Sequence, residues 1–297
     1  MKFYVILLII GVLALFTSCD KEEPPPSYIH FDQITFEQNP DASLFQGSLR
    51  QRMPNVYVTI NDESNDEPAQ DIGFQNIPST FPYLGVGPNT ITVRPSVPVN
   101  GNNASIIEYP FFEAFVLINY ELELFEIDTI SLTTRYRSEA EIDILFNEDF
   151  EQNSSIFREY ALPEMEGLLV NQIEDVYEGV QSGRIHLDET NRFIDVATTG
   201  VYPLDLNEPY LEMDYKTDVL LSFGLIGNDG GNTDFSPVGF LAPKETWNKV
   251  YFQMKDAVSY LQSRGFSNFQ VYYSAALGGT MTEADIHLDN VKLLKQK

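Results

Sequence analysis

The sequence predicts an all-β protein of two domains, and three observations carry that prediction. Apolar and polar residues alternate over short runs from Tyr28 onward, the period of half-buried strands. Clusters of Asn, Asp, Gly and Pro separate the runs, and these residues favour turns. Helical periodicity is scarce and strands do not alternate with helices, so packed antiparallel sheets fit better than a parallel α/β sheet.

Strands are expected first at 29–32 and 34–36, then at 56–60, where Val56, Val58 and Ile60 alternate with Tyr57 and Thr59 before the polar loop 61–66. Further strands are expected at 89–95, 116–124 and 127–136. The polar stretch 137–141 marks the boundary between a domain at 28–140 and one at 141–297. The second half restarts at 146–151. It continues with strands at 182–187, 193–196, 210–215, 220–226, 235–241, 249–254, 268–273 and 284–294, a density that fits a sandwich or jelly roll. One short helix is expected at 256–264, closed by Gly265 as a helix C-cap.

The N-terminus carries an address. Lys2 precedes an unbroken apolar run at 3–16, too short to span a bilayer comfortably and of the length of a signal-peptide core. Thr17 and Ser18 then precede Cys19, the only cysteine of the chain. Small residues before a lone cysteine resemble the lipobox of bacterial lipoproteins. That resemblance implies a signal peptide at 1–18, acylation of Cys19 with palmitate-type chains, and a membrane anchor of two or more chains. Lys21, Glu22 and Glu23 resemble the surface-export signal of Bacteroidetes lipoproteins, which implies an outer-membrane protein facing the cell exterior. Pro24, Pro25 and Pro26 complete a tether at 19–27, a stiff spacer expected to hold the folded part clear of headgroups.

Charge excludes some partners. Forty-four acidic against 18 basic residues give a net charge of −26. Such a chain lacks a phosphate-neutralising patch for nucleic acid and is repelled by anionic lipid surfaces. With Cys19 used for lipid there are no disulfides, so packing supplies the stability.

Two family resemblances extend the reading. The segment from Ile77 to Leu84 with Pro78 and Pro82, the later Gly87, and Tyr109-Pro110-Phe111-Phe112 resemble Bacteroidetes lipoproteins with an immunoglobulin-like first domain. The resemblance implies such a sandwich and transfers no catalytic residue. The opening run 146–151, the Trp247-led run 247–252 and the closing run 284–293 are similar to galactose-binding-like jelly rolls, the fold of many carbohydrate-binding modules. By that similarity Trp247 is a core residue. A structural calcium is also implied, joining first and last strands, with Glu148, Glu151, Asp285 and Asp289 as its candidate ligands, since calcium takes six to eight oxygens. The oxygen-rich run 228–234 lacks the spacing of a calcium loop and reads as a turn.

Catalysis has little to work with. There is no Gly-x-Ser-x-Gly elbow, and His30, His186 and His287 lie singly in alternating strands without zinc spacing. Glu126 with Asp128, and Glu141 with Asp143, begin like the Glu-x-Asp-x-Glu signature of laminarinase-type jelly rolls. Ile130 stands where the final glutamate belongs in the first, and Leu145 or Phe146 in the second. Glycan platforms would come from tyrosines: Tyr202, Tyr210, Tyr272 and Tyr273, of which the adjacent pair faces opposite sides of a strand. The reading is a non-enzymatic surface lipoprotein serving as accessory or scaffold subunit of an outer-membrane complex for barrel assembly, secretion or import. Its partners would be an integral barrel protein and other lipoproteins. The alternative is a glycan-binding lipoprotein of a polysaccharide-uptake system.

Overall fold

The computed structural model describes residues 25–41, 46–64, 68–160 and 168–297. Cys19, Lys21, Glu22 and Glu23 lie outside them.

The first part is a sandwich of two sheets. One sheet has the order β4 (Ser79–Tyr83), β1 (Ser27–Phe36), β8 (Ile127–Thr134), with β1 antiparallel to β4 and parallel to β8. The other runs β3 (Gln70–Asn76), β2 (Asn55–Asp62), β5 (Gly87–Pro98), with β6 (Ile106–Glu108) and β7 (Phe115–Leu122) both paired to β5. Alternation decides what each strand buries. Val56, Val58 and Ile60 of β2 pack with Ile29, Phe31, Ile91, Val93, Ile130 and Leu132 between the sheets. β4 was not expected as a strand because prolines flank and interrupt it. Pro82 is tolerated because β4 forms the edge of its sheet.

The second part is a larger sandwich. One sheet has the order β11 (Leu169–Gln172), β12 (Ser182–Asp188), β20 (Glu283–Gln296), β15 (Tyr210–Thr217), β18 (Lys244–Gln253), with β9 (Ile142–Glu148) also on β20. The facing sheet runs β10 (Phe157–Glu159), β13 (Phe193–Thr198), β19 (Asn268–Ala276), β16 (Leu221–Asn228), β17 (Thr233–Leu241), with β14 (Tyr202–Pro203) on β19. Between the sheets lie Leu211, Met213, Leu221, Phe223, Val250, Phe252, Val271, Tyr273, Ile286 and Leu288. The expected helix is α1 (Lys255–Ser263), which buries Ala257, Val258 and Leu261, and Gly265 after it takes φ +96°. The chain is therefore all-β apart from this short helix among the described residues, none of which forms a helix able to cross a membrane.

A third apolar cluster joins the two sandwiches. Phe36, Val97, Val99, Tyr109, Phe111, Phe112 and Tyr136 of the first pack against Tyr210, Tyr251 and Leu294 of the second. The Tyr-Pro-Phe-Phe element conspicuous in the sequence is thus a docking element. Tyr109 alone makes edge or tilted contacts with Phe111, Phe112, Tyr210 and Tyr251, at centroid distances of 4.8–5.4 Å.

Candidate functional site

The site is built on the outer face of the β11–β12–β20–β15–β18 sheet. In β15 the residues Leu211 and Met213 point to the core, so Tyr210, Glu212, Asp214 and Lys216 share the opposite face. The same parity puts Trp247, Lys249 and Tyr251 of β18, Asp285, His287 and Asp289 of β20, and Arg184 and His186 of β12 on that face. Beyond an irregularity near Asn290, where φ is +48°, Lys292 and Leu294 rejoin it.

The first sandwich covers one half of this polar face. Tyr109 and Tyr136 each donate their hydroxyl to the Glu212 carboxylate at 2.7 Å. Lys292 donates to the Tyr136 hydroxyl at 3.1 Å, and Lys249 lies 3.3 Å from Asp214 and 3.7 Å from Glu212. The Tyr251 hydroxyl donates to the Gln51 side chain and accepts the backbone N–H of Arg52. Glu212, Asp214 and Lys292 are wholly buried, so charge and partner must match. Burial pushes Asp289 up to about 8 and raises Asp214 as well. Burial also lowers Lys292 to about 8, although Glu212 acts in the other direction. For Lys249 burial opposes the charge, but Asp214 and Glu212 outweigh it and the pKa rises. Burial, then Glu212, holds Tyr109 and Tyr136 well above the usual phenol range.

The other half opens as a groove of ≈ 250 Å³ lined by Gln172, Glu174, Asp175, Arg184, Lys216, Asp218, Asp285 and His287. Arg184, Lys216, Asp175 and Asp285 are held in pairs, and Asp218 accepts the backbone N–H of Asp285. Arg184 grips Asp285 through two bonds of 2.9 and 3.0 Å, and His186 adds a third at 2.8 Å. Lys216 and the Trp247 indole N–H both bond Asp175, the latter at 2.8 Å. Burial works against the charges of Asp175 and Asp285. The bonds from Lys216 and Trp247, and from Arg184 and His186, win, so both carboxyls stay below the usual range. Beside the groove Arg50, Tyr177, Trp247 and His287 form a row of tilted and edge contacts, with Tyr177–Trp247 and Trp247–His287 centroids 5.7 and 6.0 Å apart. Burial lowers the His287 pKa, which favours neutral imidazole, and its Nδ1 is buried without a hydrogen-bond partner.

The residues singled out from sequence fall differently than expected. The four calcium candidates do not form one site. Glu148 accepts the backbone N–H groups of Phe150 and Ile156 and the Ser155 hydroxyl, which fixes the loop after β9. Glu151 accepts the N–H groups of Val180 and Gln181, and Asp289 those of Glu178 and Asn290. Asp285 is the partner of Arg184. Among the described residues no group of three or more His, Cys, Asp or Glu is placed to hold a metal ion.

The tyrosine set also divides. Tyr273 is a core residue whose hydroxyl faces the Met213 sulfur, and Tyr210 is buried against Tyr109 and Phe111. Neither can stack on a sugar. Tyr202 packs on Phe146 and Tyr272 on Phe235, both half-buried and away from the groove. Trp247, expected in the core, is half-buried on the outer face because the parity of β18 places it opposite Val250 and Phe252. His30 bonds Thr80 in the first sandwich, whereas His287 lines the groove and His186 bonds Asp285 of its wall. Asp175 and Lys216 drew no notice in the sequence. Asp175 follows Glu174 and Lys216 sits among Glu212, Asp214 and Asp218, so neither charge stood out from its neighbours.

No family model matches the chain, and no curated protein matches it. Several solved carbohydrate-binding modules are similar in structure. A family 61 module in complex with β-1,4-galactotriose shares 13% identity, with 52% of this chain and 99% of that one covered and a TM-score of 0.35. A family 22 xylan-binding domain from Paenibacillus barcinonensis shares 16%, with 52% and 94% covered and a TM-score of 0.34. A family 30 module from Clostridium thermocellum shares 14%, with 50% and 97% covered and a TM-score of 0.36.

Proposed function

We propose that the chain is a non-enzymatic glycan-binding lipoprotein, held to the outer membrane through Cys19, and that the groove beside Trp247 and His287 takes a neutral sugar unit. The observation that supports this most is the groove's wall of pre-set donors and acceptors, Arg184 with Asp285 and Lys216 with Asp175, beside the Trp247 ring. Fixed polar groups converging on a concave surface suit the many hydroxyls of a sugar, which both donate and accept. Arg184 and Lys216 are outnumbered by Glu174, Asp175, Asp218 and Asp285, which disfavours uronic or sulfated glycans. Sugar C–H faces pack on aromatic walls, and Trp247 supplies one at the rim. Hydrolysis is disfavoured on physical grounds. A glycosidase needs one carboxyl with a raised pKa, and Asp175 and Asp285 are both held low by cationic or indole partners.

In this reading the first sandwich, immunoglobulin-like by its sequence resemblance, acts as a rigid spacer, and the surface signal of Lys21, Glu22 and Glu23 sets display on the cell exterior. The test is titration calorimetry of the mature chain against neutral and acidic oligosaccharides. Neutral oligosaccharides should bind, and His287→Ala or Trp247→Ala should each weaken binding about tenfold, the scale of one lost hydrogen bond or ring contact. No binding across the neutral panel, or binding untouched by both substitutions, would overturn the reading. A glycan-negative protein that co-purifies with a membrane barrel would instead fit the accessory-subunit alternative.

A further inference from the structure

The first sandwich has two functional ends. At one end Phe36, Val97, Val99 and Tyr136 meet the second sandwich. At the other end the chain arrives from its N-terminus: Ser27 pairs with Tyr83, Tyr28 with Ile127, and the start of β5 with the end of β7. The Ser27 hydroxyl donates to the carbonyls of Tyr83 and Gly85, and the Phe125 N–H donates to the Pro26 carbonyl. Two loops therefore flank the point where the tether joins the fold.

Those loops are unusually apolar at their tips. Leu84 and Val86 in one, and Leu124, Phe125 and Ile127 in or beside the other, are all exposed, Phe125 by 73% and Ile127 by 64%. Phe125 takes φ +63°, a strained conformation for an aromatic residue, and packs into no core. Single exposed apolar residues are ordinary, but five around one chain terminus make a patch.

The length of chain outside the structure limits what can cover this patch. From Cys19 to the first described residue, Pro25, an extended chain reaches about 20 Å at most, since each residue spans roughly 3.3–3.6 Å. We propose that this apolar end is a membrane foot: it rests in the headgroup layer beside the lipid anchor and sets the protein's orientation. The proposal rests on the anchored reading above, and it replaces the expectation that the proline spacer keeps the fold clear of headgroups. Glu121, Glu123 and Glu126 surround the tips and are exposed, so the foot has no electrostatic attraction of its own to a membrane. Attachment comes from the acyl chains, and the foot supplies orientation. The second sandwich, at the opposite end of strands about 30 Å long, is then held away from the bilayer with its groove toward solvent.

The chain has one cysteine and one tryptophan, which makes a direct test available. The chain from residue 19 onward is coupled through its Cys19 thiol to maleimide-phosphatidylethanolamine in vesicles of acyl-brominated phosphatidylcholine. This attaches the protein whether or not the cell acylates Cys19, and release of a Cys19→Ala protein from cell membranes tests the anchor separately. In the Phe125→Trp, Trp247→Phe protein, bromolipid should quench indole emission about twofold, as for a side chain buried several ångströms into the interface. The wild type, whose only indole is Trp247, should stay unquenched. Quenching of the Phe125→Trp reporter no greater than that of Trp247 would overturn the proposal. So would a reporter unquenched in vesicles yet shielded from iodide in native membranes, which would show that a protein covers the patch.

Discussion

Removing one hydroxyl at the junction of the two sandwiches should cost more than its size implies. In Tyr109→Phe the ring keeps its contacts with Phe111, Phe112, Tyr210 and Tyr251, so apolar packing is almost unchanged. Only the 2.7 Å bond to Glu212 is lost. Glu212 is wholly buried and Tyr109 nearly so, so water cannot take the place of the hydroxyl. A hydrogen bond to a charged group is worth about 1.5–3 kcal/mol, and the stranded carboxylate places this one toward the upper end. Glu212→Gln should cost more, about 3–5 kcal/mol, because it leaves Lys249 and Lys292 buried with less counter-charge. The two residues lie on different sandwiches, so their coupling measures the docking itself. Urea unfolding of the wild type, both single variants and the double variant gives the cycle, and the coupling energy should be about 1–3 kcal/mol. A Tyr109→Phe protein within about 0.5 kcal/mol of wild type, with no coupling to Glu212, would refute a docked, dry interface.

Two further outcomes follow from the same face. Asp289 has a folded pKa of about 8 against an unfolded value of roughly 3.9, so the native state binds the extra proton between those limits and stability falls as pH rises from about 4 to 8. Asp289→Asn should flatten that fall, seen in melting temperatures across the range, and an unchanged slope would contradict a buried neutral carboxyl. Lys292, lowered to about 8, acts oppositely: between about 8 and roughly 10.4 the native lysine is neutral while the unfolded one keeps its proton, so its contribution to stability rises with pH. Because Glu148 and Glu151 are occupied by backbone N–H groups, a chelator should leave the melting curve unchanged, whereas Glu148→Ala should cost about 2–4 kcal/mol by stranding the N–H groups of Phe150 and Ile156. A drop in melting temperature with chelator would restore calcium to the account.

Local pattern made much of the fold legible. The alternation in 56–60, 89–95, 210–215 and 284–294 marked strands that the structure contains, because a side-chain period of two is written in neighbouring residues. The short helix and the glycine that closes it were legible for the same reason. Short edge strands such as β4, β10 and β14 were not, since a few residues beside prolines or turns carry too little pattern. The sequence also showed that Tyr272 and Tyr273 face opposite ways, because adjacent residues of a strand do. It could not show which face is covered. Nothing in the sequence sets Glu212, Lys249 and Lys292 apart from the chain's other charges, and only the docking of Tyr109 and Tyr136, from far away in the chain, makes their surface an interior. Trp247 and His287 read as a core residue and a stray histidine. Asp175, brought to them by the β11–β12 connection, lines a groove with His287 and holds the Trp247 indole beside it. Periodicity is a property of adjacent residues and survives in one dimension. Burial of a polar face depends on which distant surface lands on it, and that is decided only when the two sandwiches pack.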